Sequence, residues 1–199
     1  MKSIKKGILA CLSLIVCISL VACTKEETKD YIATIEVENY GTITMELDGK
    51  TAPITVQNFV DLAQDGFYDG LTFHRIMEGF MMQGGDPSGD GTGGSKQTIK
   101  GEFKENGVEN DLSHERGVVS MARSGDPNSA SSQFFIVQED SPFLDGQYAA
   151  FGHVTSGMEV VDQICQDAKP IDDNGTIVKD EQPIISKITV KEKKPSSQN

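Results

Sequence analysis

The chain has 199 residues, 37% of them hydrophobic and 24% charged, with a formal net charge of −12. That length and apolar content fit one globular domain with a real core plus extra segments. So acidic a chain is a poor match for nonspecific nucleic-acid binding, because a phosphate backbone selects Lys and Arg.

The first segment differs in kind from the rest. "MKSIKK" is basic, "GILACLSLIVCISLVA" is apolar, and Cys23 closes the run. This is the layout of an export signal rather than of a folded helix. Leu20, Ala22 and Cys23 resemble a bacterial lipobox. That resemblance implies cleavage after Ala22, with residues 1–22 as a lipoprotein signal peptide and a diacylglycerol thioether on Cys23. An uncleaved N-terminal anchor and a cleaved signal without lipid are the alternatives. Lipid and anchor alike place the domain on the extracytoplasmic face of a bacterial cell membrane. Cleavage also removes Cys11 and Cys17, so Cys23 and Cys165 remain and no internal disulfide can form. Cys165 falls on the apolar stripe of a helix and reads as inert packing.

"TKEETKD" is polar and charged, so residues 23–30 read as the lipidated cysteine and a short tether. The domain spans 31–191. "YIATIEVENYGTITMELDG" predicts two strands joined near Asn39 and Gly41. "TAPITVQNFVDLAQDG" predicts a helix of about three turns. Pro53 suits its first turn, Val56, Phe59, Val60 and Ala63 recur at helical spacing, and Gly66 suits its end. The runs "LTFHRIM", "FMMQG", "GVVSMA", "SQFFIVQ" and "AAFGHV" predict short strands. "GMEVVDQICQDA" predicts a second helix and "PIISKITVKE" a last strand, followed by a disordered tail, 192–199. Many short strands with two separated helices point to closed or nearly closed antiparallel β structure. A barrel capped by helices fits the count; periodicity alone leaves a sandwich open.

Within this pattern "FHRIMEGFMMQGGD" is odd. Strict alternation would put Phe73, Arg75 and Met77 on one strand face and His74 and Ile76 on the other. Arg75 would then stand among apolar neighbours. Buried charge is costly unless paired or hydrogen-bonded. Arg75 is therefore held by an acidic partner or kept for work.

Together, "FHRIMEGFMMQGGD", "GDGTGG", "GVVSMARSGDPNSASSQFFI" and "PFLDGQYAAFGHV" resemble a cyclophilin-type peptidyl-prolyl cis-trans isomerase, in that family's order and spacing, from about Tyr31 to Val190. The resemblance implies an eight-stranded closed antiparallel β-barrel capped by two α-helices. It implies that Arg75 is catalytic and that Phe80, Met81, Phe135 and Leu144 form a proline pocket. Gln83 matches the glutamine near the arginine. Ala122, Arg123 and Gln133 match the strip along the substrate, with Gly91 nearby, and His74 matches the motif histidine beside the arginine. Phe143 and Tyr148 complete the substrate-binding set. Four positions depart from the best-known eukaryotic pattern: Phe143 stands for Trp, Tyr148 for His, Arg123 for Asn and Glu78 for Pro. Phe143 lacks the indole donor, while Tyr148 keeps an aromatic wall with a polar tip.

The implied reaction explains the residue types. Rotation about a peptide bond costs ~18–20 kcal/mol because the nitrogen lone pair is delocalised into the carbonyl. No bond breaks, so no cofactor and no metal is required. In the twisted state the lone pair returns to nitrogen, which becomes an acceptor only then. A rigid, permanently charged guanidinium is a good donor to it. The implied partners are proline-containing unfolded or extended polypeptides and, through lipid on Cys23, a membrane; a monomer is expected. The rival function is a binding or holdase module on the same fold, with little turnover.

Other motifs carry less. As residue types, His74 reads as a hydrogen-bonded structural histidine, and His114 and His153 lack metal-ligand spacing. "GDPSGDGTGG" lacks the GK[ST] ending of a phosphate loop, and a calcium loop starting at Asp86 would meet Gln97 where its terminal Glu belongs. No GxSxG is present.

Overall fold

A computed structural model of the chain describes residues 28–194. The signal segment, Cys23 and the last five residues of the tail lie outside that range. Eight strands form one antiparallel sheet: β1 (Tyr31–Val37), β2 (Gly41–Leu47), β3 (Thr72–Met77), β4 (Met81–Asp86), β5 (Val118–Met121), β6 (Phe134–Val137), β7 (Ala150–Ser156) and β8 (Ile185–Glu192). Two helices accompany it, α1 (Pro53–Gln64) and α2 (Met158–Asp167). Among the described residues no helix is long and apolar enough to cross a membrane.

The strand order is β3-β4-β6-β5-β7-β2-β1-β8. The sheet curls until its end strands meet. They meet through one isolated bridge, Thr72 with Ile184, flanked by the bonds from Phe73 N to Pro183 O and from Ile185 N to Leu71 O. That seam is not a continuous ladder, so the expectation of a closed barrel goes further than these hydrogen bonds.

The β1–β2 hairpin turns at Asn39, whose φ of 64° is left-handed, and enters β2 at Gly41. Asn and Gly tolerate that region because they carry a short polar side chain or none. Alternate residues Ala33, Ile35 and Val37, and Ile43, Met45 and Leu47, are buried. Helix α1 buries Val56, Phe59, Val60 and Ala63, the predicted stripe, and packs on β8; α2 buries Val160, Val161, Ile164 and Cys165 and packs by β2. Burial pushes the Cys165 thiol up to about 12, as inert packing requires. The central core is aromatic, with the Phe59 ring 5.1–5.5 Å from those of Tyr68, Phe134 and Phe151.

The sheet buries apolar side chains on both faces. On β6, Phe134 and Ile136 join the main core, whereas Phe135 and Val137 join a second cluster with Met81, Val118, Leu144 and Ala150. On β4, Met82 belongs to the first and Met81 to the second. This second face carries the site. Asp30, just before β1, is tied to the domain, since Gly49 N donates to its carboxylate at 3.2 Å and Lys193 N to its carbonyl at 2.8 Å.

Candidate active site

Strand β3 does not alternate as expected. Phe73 pairs with Gly84, yet Arg75 pairs with Gln83, so two β3 residues advance against one on β4 and His74 is the bulged residue. A β-bulge re-aims the side chains that follow it. Phe73 and Ile76 therefore enter the main core, while Met77 packs on the second cluster and Arg75 faces the same side. The expected sharing of a face by Phe73 and Arg75 is corrected by that single extra residue.

Arg75 has no carboxylate partner among the described residues. Its Nε donates to the Asn174 carbonyl at 2.7 Å, Nη1 to Gln83 Oε1 at 3.3 Å, and Nη2 lies 3.2 Å from the Met77 sulfur. Gln83 in turn donates from Nε2 to Gln133 Oε1 at 2.8 Å, and Gln133 Nε2 donates to the Gly93 carbonyl at 2.7 Å. These neutral acceptors aim the guanidinium without cancelling its charge. Burial draws Arg75 below its ordinary value, but a guanidinium starts so high that it stays protonated.

A cavity of about 320 Å³ opens beside it. Phe80, Met81, Phe135, Leu144 and Tyr148 supply apolar wall, and Ala122 leaves room. Phe143 also lines it but is 63% exposed, tilted against Phe80 at 5.5 Å. Arg75, Gln83 and Arg123 add the polar groups. A second cavity of about 340 Å³ adjoins, lined by Gly91, Gln133, Thr92, Ser95 and Ser131 among others, and shares Gln83, Ala122 and Arg123 with the first.

His74 stands apart. It is 3% exposed and lines neither cavity, and its ring lies beneath Gly91. Among the described residues neither ring nitrogen has a hydrogen-bond partner, which corrects the expectation of a hydrogen-bonded histidine. Burial holds its imidazole below the usual range.

Sequence reasoning missed two supports. The 171–176 loop lays a strand-like segment beside β3, with Ile76 N donating to Gly175 O at 2.8 Å. Its "DDNG" has turn chemistry that could have flagged it. The second support is His114, stacked on Phe135 at 6.1 Å. Its Nδ1 is 2.8 Å from Asp145 Oδ1 and its Nε2 3.0 Å from Ser120 Oγ. A carboxylate only accepts, so Nδ1 carries the proton and Nε2 accepts from Ser120. The connectivity is that of a hydrolase triad, but Ser120 is 0% exposed and lines neither cavity, so no substrate reaches it. The trio instead braces Phe135 and ties down the turn that carries Leu144.

An oriented guanidinium without an ion-pair partner, at the rim of a cavity with apolar walls and beside a polar groove, suits a peptide site that acts by hydrogen bonding and desolvation. Comparison with known proteins agrees. The model of the cyclophilin type peptidyl-prolyl cis-trans isomerase/CLD family matches residues 32–191. A peptidyl-prolyl cis-trans isomerase of Helicobacter pylori is 46% identical over 144 residues, 71% of this chain and 85% of its own. Peptidyl-prolyl cis-trans isomerase B of Bacillus subtilis is 50% identical over 123 residues, 62% of this chain and 82% of its own. A Cryptosporidium parvum cyclophilin solved in the presence of the dipeptide Ala-Pro aligns with a TM-score of 0.71 at 31% identity, covering 80% of this chain and 98% of that one. The chain belongs to the cyclophilin-type peptidyl-prolyl cis-trans isomerase family.

Proposed function

We propose that this isomerase rotates X–Pro bonds in exported polypeptides while lipid on Cys23 holds it, as a monomer, at the extracytoplasmic face of a cell membrane. The observation that carries the catalytic part is the Arg75 guanidinium, fixed by Asn174 and Gln83, with no carboxylate within ion-pair distance among the described residues. The proline ring sits in the apolar cavity, and an Arg75 N–H donates to the prolyl nitrogen as the bond twists. The planar amide offers that nitrogen no lone pair, so the interaction is stronger in the transition state, as catalysis requires. A ten-thousandfold acceleration needs about 5.5 kcal/mol. One preorganised donor supplies about 2.7–4 kcal/mol by analogy with oxyanion holes. Phe80, Met81 and Phe135 supply the rest by excluding water from the amide.

The membrane part rests on the order of basic run, apolar run and Cys23 in the sequence. An Ala-Pro dipeptide accompanied the Cryptosporidium relative, and extended proline-containing segments are the matching substrates here. The test is cis–trans exchange of an Ala-Pro-Phe peptide with residues 24–199, beside Arg75→Ala. Fast exchange that the substitution abolishes is expected; equally fast exchange in Arg75→Ala would remove Arg75 from the catalysis, and no acceleration by the folded wild type would leave a binding module. Metabolic labelling with a fatty acid, lost in Cys23→Ser, tests the anchor, and unlabelled wild type removes it.

A further inference from the structure

The two cavities share Gln83, Ala122 and Arg123 as a common wall. On an extended peptide, side chains two residues apart face the same way and lie about 7 Å apart. A peptide with its proline in the apolar cavity therefore presents the side chain two positions away to the second cavity, past Arg123.

The charge on that wall runs against the rest of the molecule. The chain has 30 Asp and Glu against 18 Lys and Arg. Yet among the described residues no carboxylate lines either cavity, and the charged residues that do are Arg75 and Arg123. Arg75 is committed to the rotating bond. Arg123 is held without being neutralised. Its Nε donates to the Gln147 carbonyl at 3.0 Å and Nη1 to the Ser124 carbonyl at 2.9 Å. Its guanidinium carbon lies 4.7 Å from the centre of the Tyr148 ring and 5.1 Å from that of Phe103. Among the described residues, no carboxylate stands within ion-pair distance of it and Nη2 has no hydrogen-bond partner. A guanidinium with its plane set and Nη2 left to donate suits a carboxylate.

We propose that Arg123 makes this enzyme selective for substrates with an acidic side chain, Asp or Glu, two residues from the proline. The inference rests on the isomerase reading of the same site. Charge complementarity of this kind sets specificity more than raw affinity. A partly exposed pair is screened by salt, so the preference is about two- to fivefold at low ionic strength.

The test uses the full-length chain and peptides carrying Glu or Gln two residues before, or two residues after, a single proline. The expected result is a higher kcat/KM for Glu than for Gln at one or both positions, shrinking in high salt. The Glu/Gln ratio should fall to one or below in Arg123→Gln, where the protein's overall negative charge is left to act alone, and survive in Arg123→Lys. Because the ratio is internal to each variant, general damage does not move it. Wild type turning over both peptides equally overturns the inference, as does a preference that persists in Arg123→Gln. Turnover of the Gln peptides by wild type upholds the isomerase reading in either case.

Discussion

Arg75 Nε donates to the backbone carbonyl of Asn174 at 2.7 Å, across 99 positions of sequence. The loop that presents this carbonyl is held from both sides. Asp172 Oδ1 accepts from Asn174 N and Thr176 N, each at 3.0 Å, and Ile177 N donates to His74 O at 3.0 Å. Gly175 is its tightest point, with φ of +85° and an added Cβ 2.5 Å from Met77 Cγ and 2.7 Å from Ile76 O.

Gly175→Ala should therefore push the loop off β3 and release the Arg75 side chain. Strain of this kind costs about 1–3 kcal/mol of stability. Misplacing the donor should lower kcat/KM by on the order of ten- to a hundredfold. Peptide exchange and a urea midpoint on the same sample check both; unchanged exchange would show that the Asn174 contact does not orient the arginine.

Arg75→Lys keeps the charge and loses the planar fork. An ammonium is a compact point charge that cannot hold Asn174 O, Gln83 and the prolyl nitrogen together. Exchange should fall on the order of a hundred- to a thousandfold, close to the alanine variant, if one oriented donor carries the catalysis. Near-wild-type rates in the lysine variant would mean that charge alone suffices.

Burial holds the imidazoles of His74 and His114 below the ordinary 6.5, although Asp86 and Asp145 respectively pull them back up. Once the pH falls below about 6.5, the unfolded chain takes up these protons more readily than the folded one. Stability then rises with pH. The contribution is fully present above the unfolded value and is lost as pH falls through the lower folded values. The urea midpoint should be level near pH 7.5 and decline as the pH falls below about 6.5. His74→Leu should flatten part of that decline. An identical decline in the variant would assign the whole effect to other groups.

Glu102 caps α1 from 47 or 48 positions away. Its carboxylate accepts from Ile54 N at 3.1 Å and from Thr55 N and Oγ1 at 2.8 Å, while Ala52 at the N-cap offers no side-chain acceptor. Glu102→Ala strands buried donors and removes a negative charge from the positive end of the helix dipole. A loss of about 2 kcal/mol is expected, with kcat/KM unchanged. Chemical denaturation measures the first and peptide exchange the second; an unaltered midpoint would mean that water replaces the cap.

Legibility followed the range of the cause. Helix α1 could be read because Val56, Phe59, Val60 and Ala63 bury one stripe, and that stripe is written in local spacing. The β6 doublet was only half legible. Phe134 and Phe135 both read as strand, but their division between core and pocket requires knowing that the sheet is covered on both faces. The bulge at His74 was illegible, since it is a mismatch between two strands and has no period of its own.

The sequence by itself determined the element types, the hairpin at Asn39 and, through four motifs in register, most of the residues that line the cavity. Each of these depends on neighbours close along the chain or on a pattern of residue types. Only the tertiary structure decided that Arg75 leans on a loop carbonyl instead of an acid, and that Arg123 keeps Nη2 unpaired among the described residues. It alone decided that His114 braces Phe135 and that Glu102 caps a distant helix. Those outcomes come from groups brought together by the curl of the sheet, where hydrogen-bond geometry and desolvation are set by three-dimensional neighbours that no local spacing encodes.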